Sequence, residues 1–181
     1  PTICITVAFF GVFLSLFSHY VVKPPQKYAQ KTAIVEATII SLPQKFNNYT
    51  KCVIKTDRIG EEDVSIKVFA SISGQNDFEP YDKIVGEAYF KEVDKQGYGN
   101  NYSRGIYLNA ILNDACSIKV NDKDKPLHYN LLMLKKSAID NVKNGMDKDL
   151  YDIGVGVLLG EKSYLDVDTY RSFKQCGIAH I

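Results

Sequence analysis

Three regimes of hydrophobic patterning succeed one another along the chain. From Pro1 to Val22 there is no Lys, Arg, Asp or Glu, and Ile3 to Phe17 is almost wholly apolar. About 20 apolar residues suffice to cross the hydrocarbon core of a bilayer, so the stretch predicts a transmembrane helix over 1–22. A truncated signal sequence or a buried helix are the alternatives, although neither a basic leader nor a small-x-small cleavage site is visible. Lys23-Pro24-Pro25 closes the run, because consecutive prolines cannot continue a helix, and Lys23, Lys27 and Lys31 suit a headgroup layer. Three lysines at this boundary favour a cytoplasmic side. An extracytoplasmic domain after them requires other flanking segments to override that tendency.

Between Thr32 and Val120 the period changes to two. Ile34, Glu36 and Thr38 alternate with Val35, Ala37 and Ile39, a strand with apolar character on both faces. Thr50-Lys-Cys-Val-Ile-Lys-Thr56 is a second, set off by Asn47-Asn48. Val64, Ile66, Val68, Ala70 and Ile72 alternate with Ser65, Lys67, Phe69 and Ser71, the cleanest strand pattern in the chain. Ile84, Gly86, Ala88 and Phe90 face away from Val85, Glu87, Tyr89 and Lys91. A polar loop with Gly97 and Gly99 leads to a fifth strand at Ile106–Leu112, which Ala115–Val120 can extend. Five strands with no strong helix among them predict a small Greek-key barrel over 32–120. An OB-like barrel is the economical choice because closure removes exposed strand edges, and a small open sandwich is the alternative.

After the polar linker Asp122–Pro126 the period becomes 3.6. Leu131, Leu134, Ala138, Ile139 and Val142 form one apolar stripe, with Lys135, Lys136, Asp140 and Lys143 largely opposite. Asp147–Leu159 predicts a second helix, and Asp166 is a suitable N-cap for a third that Gly177 would end. The fold class expected is therefore mainly β with C-terminal α: a transmembrane helix, an OB-like five-stranded barrel, and amphipathic helices over 127–181.

Composition changes this picture little. The chain of 181 residues is 45% apolar and 24% charged, enough for one modest core with appendages. Its 22 basic and 21 acidic residues leave a net charge of +1, which does not advertise a nucleic-acid protein. Any DNA contact must be local or carried by aromatic rings. The chain opens without Met and stops at His180-Ile181, so it reads as a piece of a longer protein.

Candidate chemistry is sparse. Cys4, Cys52, Cys116 and Cys176 include no C-x-x-C pair, so no zinc site or other metal is expected. Cys52 and Cys116 fall in strands of one domain and could form a disulfide, or else be small buried apolar residues. Gly154-Val-Gly156-Val-Leu-Leu-Gly160-Glu-Lys162-Ser163 superficially resembles a phosphate loop. Glu161 separates Gly from Lys and puts negative charge where phosphate would sit, so no nucleotide cofactor is expected. The glycines point instead to close helix packing. Glu61-Glu62-Asp63 and Asp122-Lys-Asp124 look like solvated turns, and His19, His128 and His180 lie in unlike contexts, so no catalytic residues can be assigned. Basic and aromatic residues do interleave on the strands. Tyr49, Lys51, Lys55, Lys67, Phe69 and Tyr89 are the candidate DNA-facing set, with rings for bases and lysines for phosphates. The bland alternative is that Phe69 and Tyr89 pack under loops while the lysines keep the surface soluble.

One stretch is familiar. Gly156-Val-Leu-Leu-Gly160-Glu-Lys-Ser-Tyr-Leu165, then Tyr170-Arg-Ser-Phe173, then Cys176-Gly-Ile-Ala-His-Ile181, resembles the start of the competence region in the ComEC family of DNA-uptake proteins. The resemblance covers about 27 residues. It implies an extracytoplasmic OB-like domain in a membrane channel that takes up single-stranded DNA during natural transformation. It also implies partners in the bilayer and in other competence-machinery proteins. Family members often carry Pro-Gly-x-Phe-Asp before the last strand, where this chain has Gly99-Asn-Asn-Tyr-Ser-Arg-Gly105. The rival reading is a membrane-tethered structural or protein-interaction module.

Overall fold

The computed structural model describes residues 2–74, 77–93, 98–118, 125–159 and 167–176. The chain divides into two compact units, Pro1–Lys125 and Pro126–Ile181.

The first unit begins with α1 (Thr2–Phe17), which runs into a π-helical turn at Ser18–Val22 and then the four-residue α2 (Lys23–Gln26). The cause of the π turn is local. Pro24 and Pro25 have no N–H to offer the carbonyls of Tyr20 and Val21, and their rings crowd those oxygens. The Lys23 N–H accordingly reaches back five residues, to Ser18 O. This corrects the expectation of one span over 1–22: α1 has 16 residues, and no helix among the described residues is long and apolar enough to cross a membrane.

Seven strands follow: β1 (Thr32–Ile39), β2 (Gln44–Lys45), β3 (Tyr49–Ile59), β4 (Glu62–Asp63), β5 (Lys67–Ser73), β6 (Lys83–Glu92) and β7 (Ile106–Ile118). Five of them close a barrel in the order β1-β3-β5-β7-β6-β1, all neighbours antiparallel except β5 and β7, which run parallel. This is an OB-like barrel. A break in register at Glu36/Ala37 lets β1 serve both β6 and β3, the bend by which a small sheet meets itself. The short strands β2 and β4 only extend β3 as hairpin arms. The tight turn to β4 passes through Gly60 at φ +60°, a conformation with little penalty only for glycine.

The interior is built from alternate residues of every strand. Val35, Ala37, Ile39, Ile54, Val68, Ile72, Ile84, Phe90, Leu108 and Leu112 are all essentially inaccessible to water. One interior level runs Cys52–Ala70–Ala110–Phe90 across β3, β5, β7 and β6, so three small side chains make room for one ring. Small barrels fill their taper in this way. The β5 pattern begins later than its alternation suggests. Val64 and Ile66 precede the strand because the buried Thr56 hydroxyl accepts from the Ile66 N–H (3.1 Å) and donates to Val64 O. The hydroxyl bonds add to the backbone bonds from the Thr56 N–H to Ile66 O (2.9 Å) and from the Val64 N–H to Asp57 O (3.2 Å).

Cys52 belongs to this core, whereas Cys116 lies exposed on β7, and both thiols are free. The possible Cys52–Cys116 disulfide is not formed, because one strand turns its cysteine inward and the other outward, and the alternative of a small buried apolar residue holds for Cys52 alone. Burial pushes the Cys52 thiol up to about 12, so it stays protonated and unreactive.

The turn joining α2 to β1 is pinned to the β3–β4 hairpin. Lys27 Nζ lies 2.6 Å from a Glu62 oxygen that the Tyr28 hydroxyl also donates to, and the Lys27 ammonium sits 4.7 Å from the Tyr28 ring centroid. Glu62 is thus a bonded anchor and not merely a solvated turn. The Lys27 hydrogen bond, then the Tyr28 one, holds its carboxyl below the usual carboxylate range. A folded-state value below the unfolded one means the stabilisation exists above the unfolded value and is lost as pH falls through the folded one. Substituting Glu62→Gln should lower the Tm at neutral pH, and the gap to wild type should close on acidification. Thermal unfolding from pH 7 to pH 3 checks this; a gap independent of pH would show that charge is not the cause.

A helix, α3 (Tyr98–Ser103), sits in the loop that the glycines marked as irregular. Its Tyr102 ring meets Tyr107 edge-on at 5.0 Å, covering the outer side of β7 where the strand begins.

The second unit holds α4 (Leu127–Gly145), α5 (Lys148–Leu159) and α6 (Val167–Gln175). Helices α4 and α5 pack through Gly154, where a Cβ would meet Met146 Sδ at 2.7 Å and Val142 Cγ1 at 3.5 Å. That is the close approach the small residues implied. The stripe on α4 is only half used: Ile139 is buried, but Leu131 and Leu134 are 59% and 69% exposed. Asp166, Gly177 and residues 160–163 of the phosphate-loop-like segment lie outside the described residues.

Candidate nucleic-acid-binding face

The closure order decides which outward side chains become neighbours. On β3 and β5 the facing pairs are Tyr49 with Ser73, Lys51 with Ser71, Val53 with Phe69, and Lys55 with Lys67. Parallel pairing carries these rows onto β7, where Phe69 meets Asn109 and Ser71 meets Ile111. Pairing with β6 then adds Lys91 beside Asn109 and Tyr89 beside Ile111. One row therefore reads Lys51–Ser71–Ile111–Tyr89 and the next Val53–Phe69–Asn109–Lys91. Four strands at a spacing of about 4.8 Å make each row about 14 Å wide.

All six candidate residues lie on this one surface. Tyr49, Lys51, Lys55, Lys67 and Phe69 are immediate neighbours on β3 and β5. Tyr89 joins them only through β7, which separates it from β5. Phe69 is half-buried in the middle, and Tyr89 is exposed at the far side with the Lys91 ammonium 5.7 Å from its ring centroid. Neither ring packs in the barrel core.

Charge on the face is one-sided. Residues 49–55, 67–73, 89–91 and 109–113 contain four lysines and no Asp or Glu. Among the described residues none of Lys51, Lys55, Lys67 and Lys91 makes an ion pair. The paired carboxylates of the barrel unit go to other cations: Glu62 to Lys27, Asp77 to Lys45, Glu36 and Asp63 to Arg58, Glu79 to Lys125. Lys55 and Lys67 directly oppose one another, a like-charge pair that costs the sheet stability. A near-neutral chain thus carries a locally basic face with apolar rings between its lysines. Such a surface can meet phosphates electrostatically and bases by stacking.

Two participants escaped the sequence pattern. Lys91 already alternates with Tyr89 in the sequence, but Ile111 enters only through the β5–β7–β6 order, which one-dimensional alternation does not contain. Phe46 lies outside any strand, yet its ring stacks on Tyr49 (centroids 4.8 Å apart, planes 16° apart). The Lys51 ammonium lies 5.1 Å from the Phe46 centroid and 5.4 Å from that of Tyr49. The signal available was a pair of aromatics flanking the Asn47-Asn48 turn.

Among the described residues no group of three His, Cys, Asp or Glu side chains is placed to hold a metal ion. Comparison of the chain with protein-family models, with curated proteins and with solved structures finds no match.

Proposed function

We propose that this chain is the extracytoplasmic part of a ComEC-type membrane channel, and that its barrel receives single-stranded DNA on the β3–β5–β7–β6 face. The observation that carries the reading is that face: four lysines that make no ion pair among the described residues, interleaved with Tyr49, Phe69 and Tyr89. The role is transport rather than catalysis. The motif-like residues of α5 and α6 lead toward a channel, in company with other competence-machinery proteins.

The proposal places the protein at the cell membrane. In α1, Phe9, Phe10, Val12, Phe13, Leu14, Leu16 and Phe17 are each at least 43% exposed, so the helix needs an apolar surrounding.

A membrane-tethered protein-interaction module is the second reading, favoured by the apolar Val53, Phe69 and Ile111 amid the lysines. Fluorescence titration of the full chain in detergent micelles with a labelled single-stranded oligonucleotide at low salt separates the two. DNA reception requires saturable binding; its absence at high protein concentration leaves the interaction module.

A further inference from the structure

The hairpin of β2 and β3 ends in Phe46-Asn47-Asn48-Tyr49, closed by a 2.8 Å hydrogen bond from the Phe46 N–H to Tyr49 O. Two braces hold its tip. Asn48 O accepts from the Gly74 N–H at 3.0 Å, and Lys45 is ion-paired with Asp77 at 2.7 Å. Both brace points lie just beyond β5, so the tip is tied to the strand that carries Phe69. On this support the Phe46 ring is already stacked on Tyr49, with Lys51 beside both rings, and still 39% exposed. A short aromatic stack that is still partly exposed is a surface to which another flat ring can be added.

We infer that Phe46 is a base-stacking platform: one unpaired nucleobase extends the Phe46–Tyr49 stack, and Lys51 meets the adjoining phosphate. The inference rests on the proposed reading of the face and adds to it a division of labour. Lys55, Lys67 and Lys91 recognise the backbone regardless of base, whereas Phe46 recognises the presence of a base. A base inside a duplex offers no free ring face, so the platform also makes the site selective for single strands.

The test compares a thymine-bearing single strand with an abasic strand of equal phosphate number, using the full chain in detergent micelles. Wild type should bind the base-bearing strand roughly 5- to 150-fold more tightly, the range of one base-aromatic stack. Phe46→Ala should erase most of that preference, and Phe46→Trp should retain it, which separates stacking from damage to the fold. The double variant Lys55→Glu with Lys67→Glu should weaken both strands alike. If Phe46→Ala keeps the full base preference, the platform is wrong and the basic face stands. If wild type binds neither strand, the DNA reading fails and the platform falls with it.

Discussion

Replacing Phe90 by alanine should lower the unfolding free energy by about 3–5 kcal/mol, the range for removing a large ring from a closed core. Phe90 has no exposed surface. Its level of the barrel is otherwise Cys52, Ala70 and Ala110, and small side chains cannot extend into the space a phenyl ring leaves. The loss therefore belongs toward the upper end of the range. The same residue also ties the preceding turn to β6. Phe90 O accepts from the Gln30 N–H at 2.8 Å, and its own N–H donates to Lys31 O at 2.9 Å. Its ring lies 6.3 Å from that of Tyr28, the partner of Glu62. Domains of this size hold about 5–15 kcal/mol in all, so Phe90→Ala should leave the barrel close to unfolding at growth temperatures. Urea unfolding followed by circular dichroism measures it. A loss below about 1 kcal/mol would mean that the barrel is not packed around this ring.

Reversing one lysine of the Lys55–Lys67 pair should move stability and DNA affinity in opposite directions. In Lys67→Glu the opposed ammonium groups become an ion pair across β3 and β5. Cross-strand pairs of opposite charge contribute about 0.2–1 kcal/mol, and the like-charge penalty disappears as well. Thermal stability should therefore rise slightly. Single-stranded DNA affinity at low salt should instead fall by on the order of tenfold, through loss of a phosphate contact and new repulsion. Two measurements on one variant, Tm and titration, decide the matter. A lower Tm would mean that Lys67 serves the fold, and an unchanged affinity would remove it from the site.

Much of the barrel was legible because its strands alternate cleanly and its interior positions are aliphatic. Ile84, Ala88 and Phe90, or Val68, Ala70 and Ile72, announce a buried face without help from tertiary context. Closure was an economical expectation, but its order is set by long-range pairing that no local pattern records. The N-terminal helix shows a different limit. Pro24 and Pro25 plainly end a helix, yet their effect on the carbonyls four residues earlier, which turns Ser18–Val22 into a π segment, emerges only from the hydrogen bonds. Thr56 likewise reads as one more polar residue until its buried hydroxyl is seen to bond the backbone of both Val64 and Ile66.

The candidate face was half legible for an electrostatic reason. A sum of 22 basic and 21 acidic residues conceals where the charges go. Folding pairs Glu62, Asp77, Asp63 and Glu79 with cations outside the lysine rows, and Lys51, Lys55, Lys67 and Lys91 lie together with no ion pair among the described residues. The six residues chosen from interleaving fall on one surface with Lys91, while Phe46 and Ile111 required the fold. The cysteines gave the opposite lesson. Cys52 and Cys116 sit on strands of one sheet, and plain alternation from Leu112 would turn both inward, but the register shift between β6 and β7 at Gly86/Ala88 leaves Cys116 exposed.

The salt dependence of single-stranded oligonucleotide binding by the full chain tests the DNA-receiving face most directly. Four lysines engaging phosphates of a single strand predict a linear fall of log K with log salt concentration, with a slope of about −2 to −3. The slope should become shallower by about 0.7 for each of Lys55 and Lys67 reversed. A slope near zero, or one that the two reversals leave unchanged, would contradict a role for this face in receiving DNA.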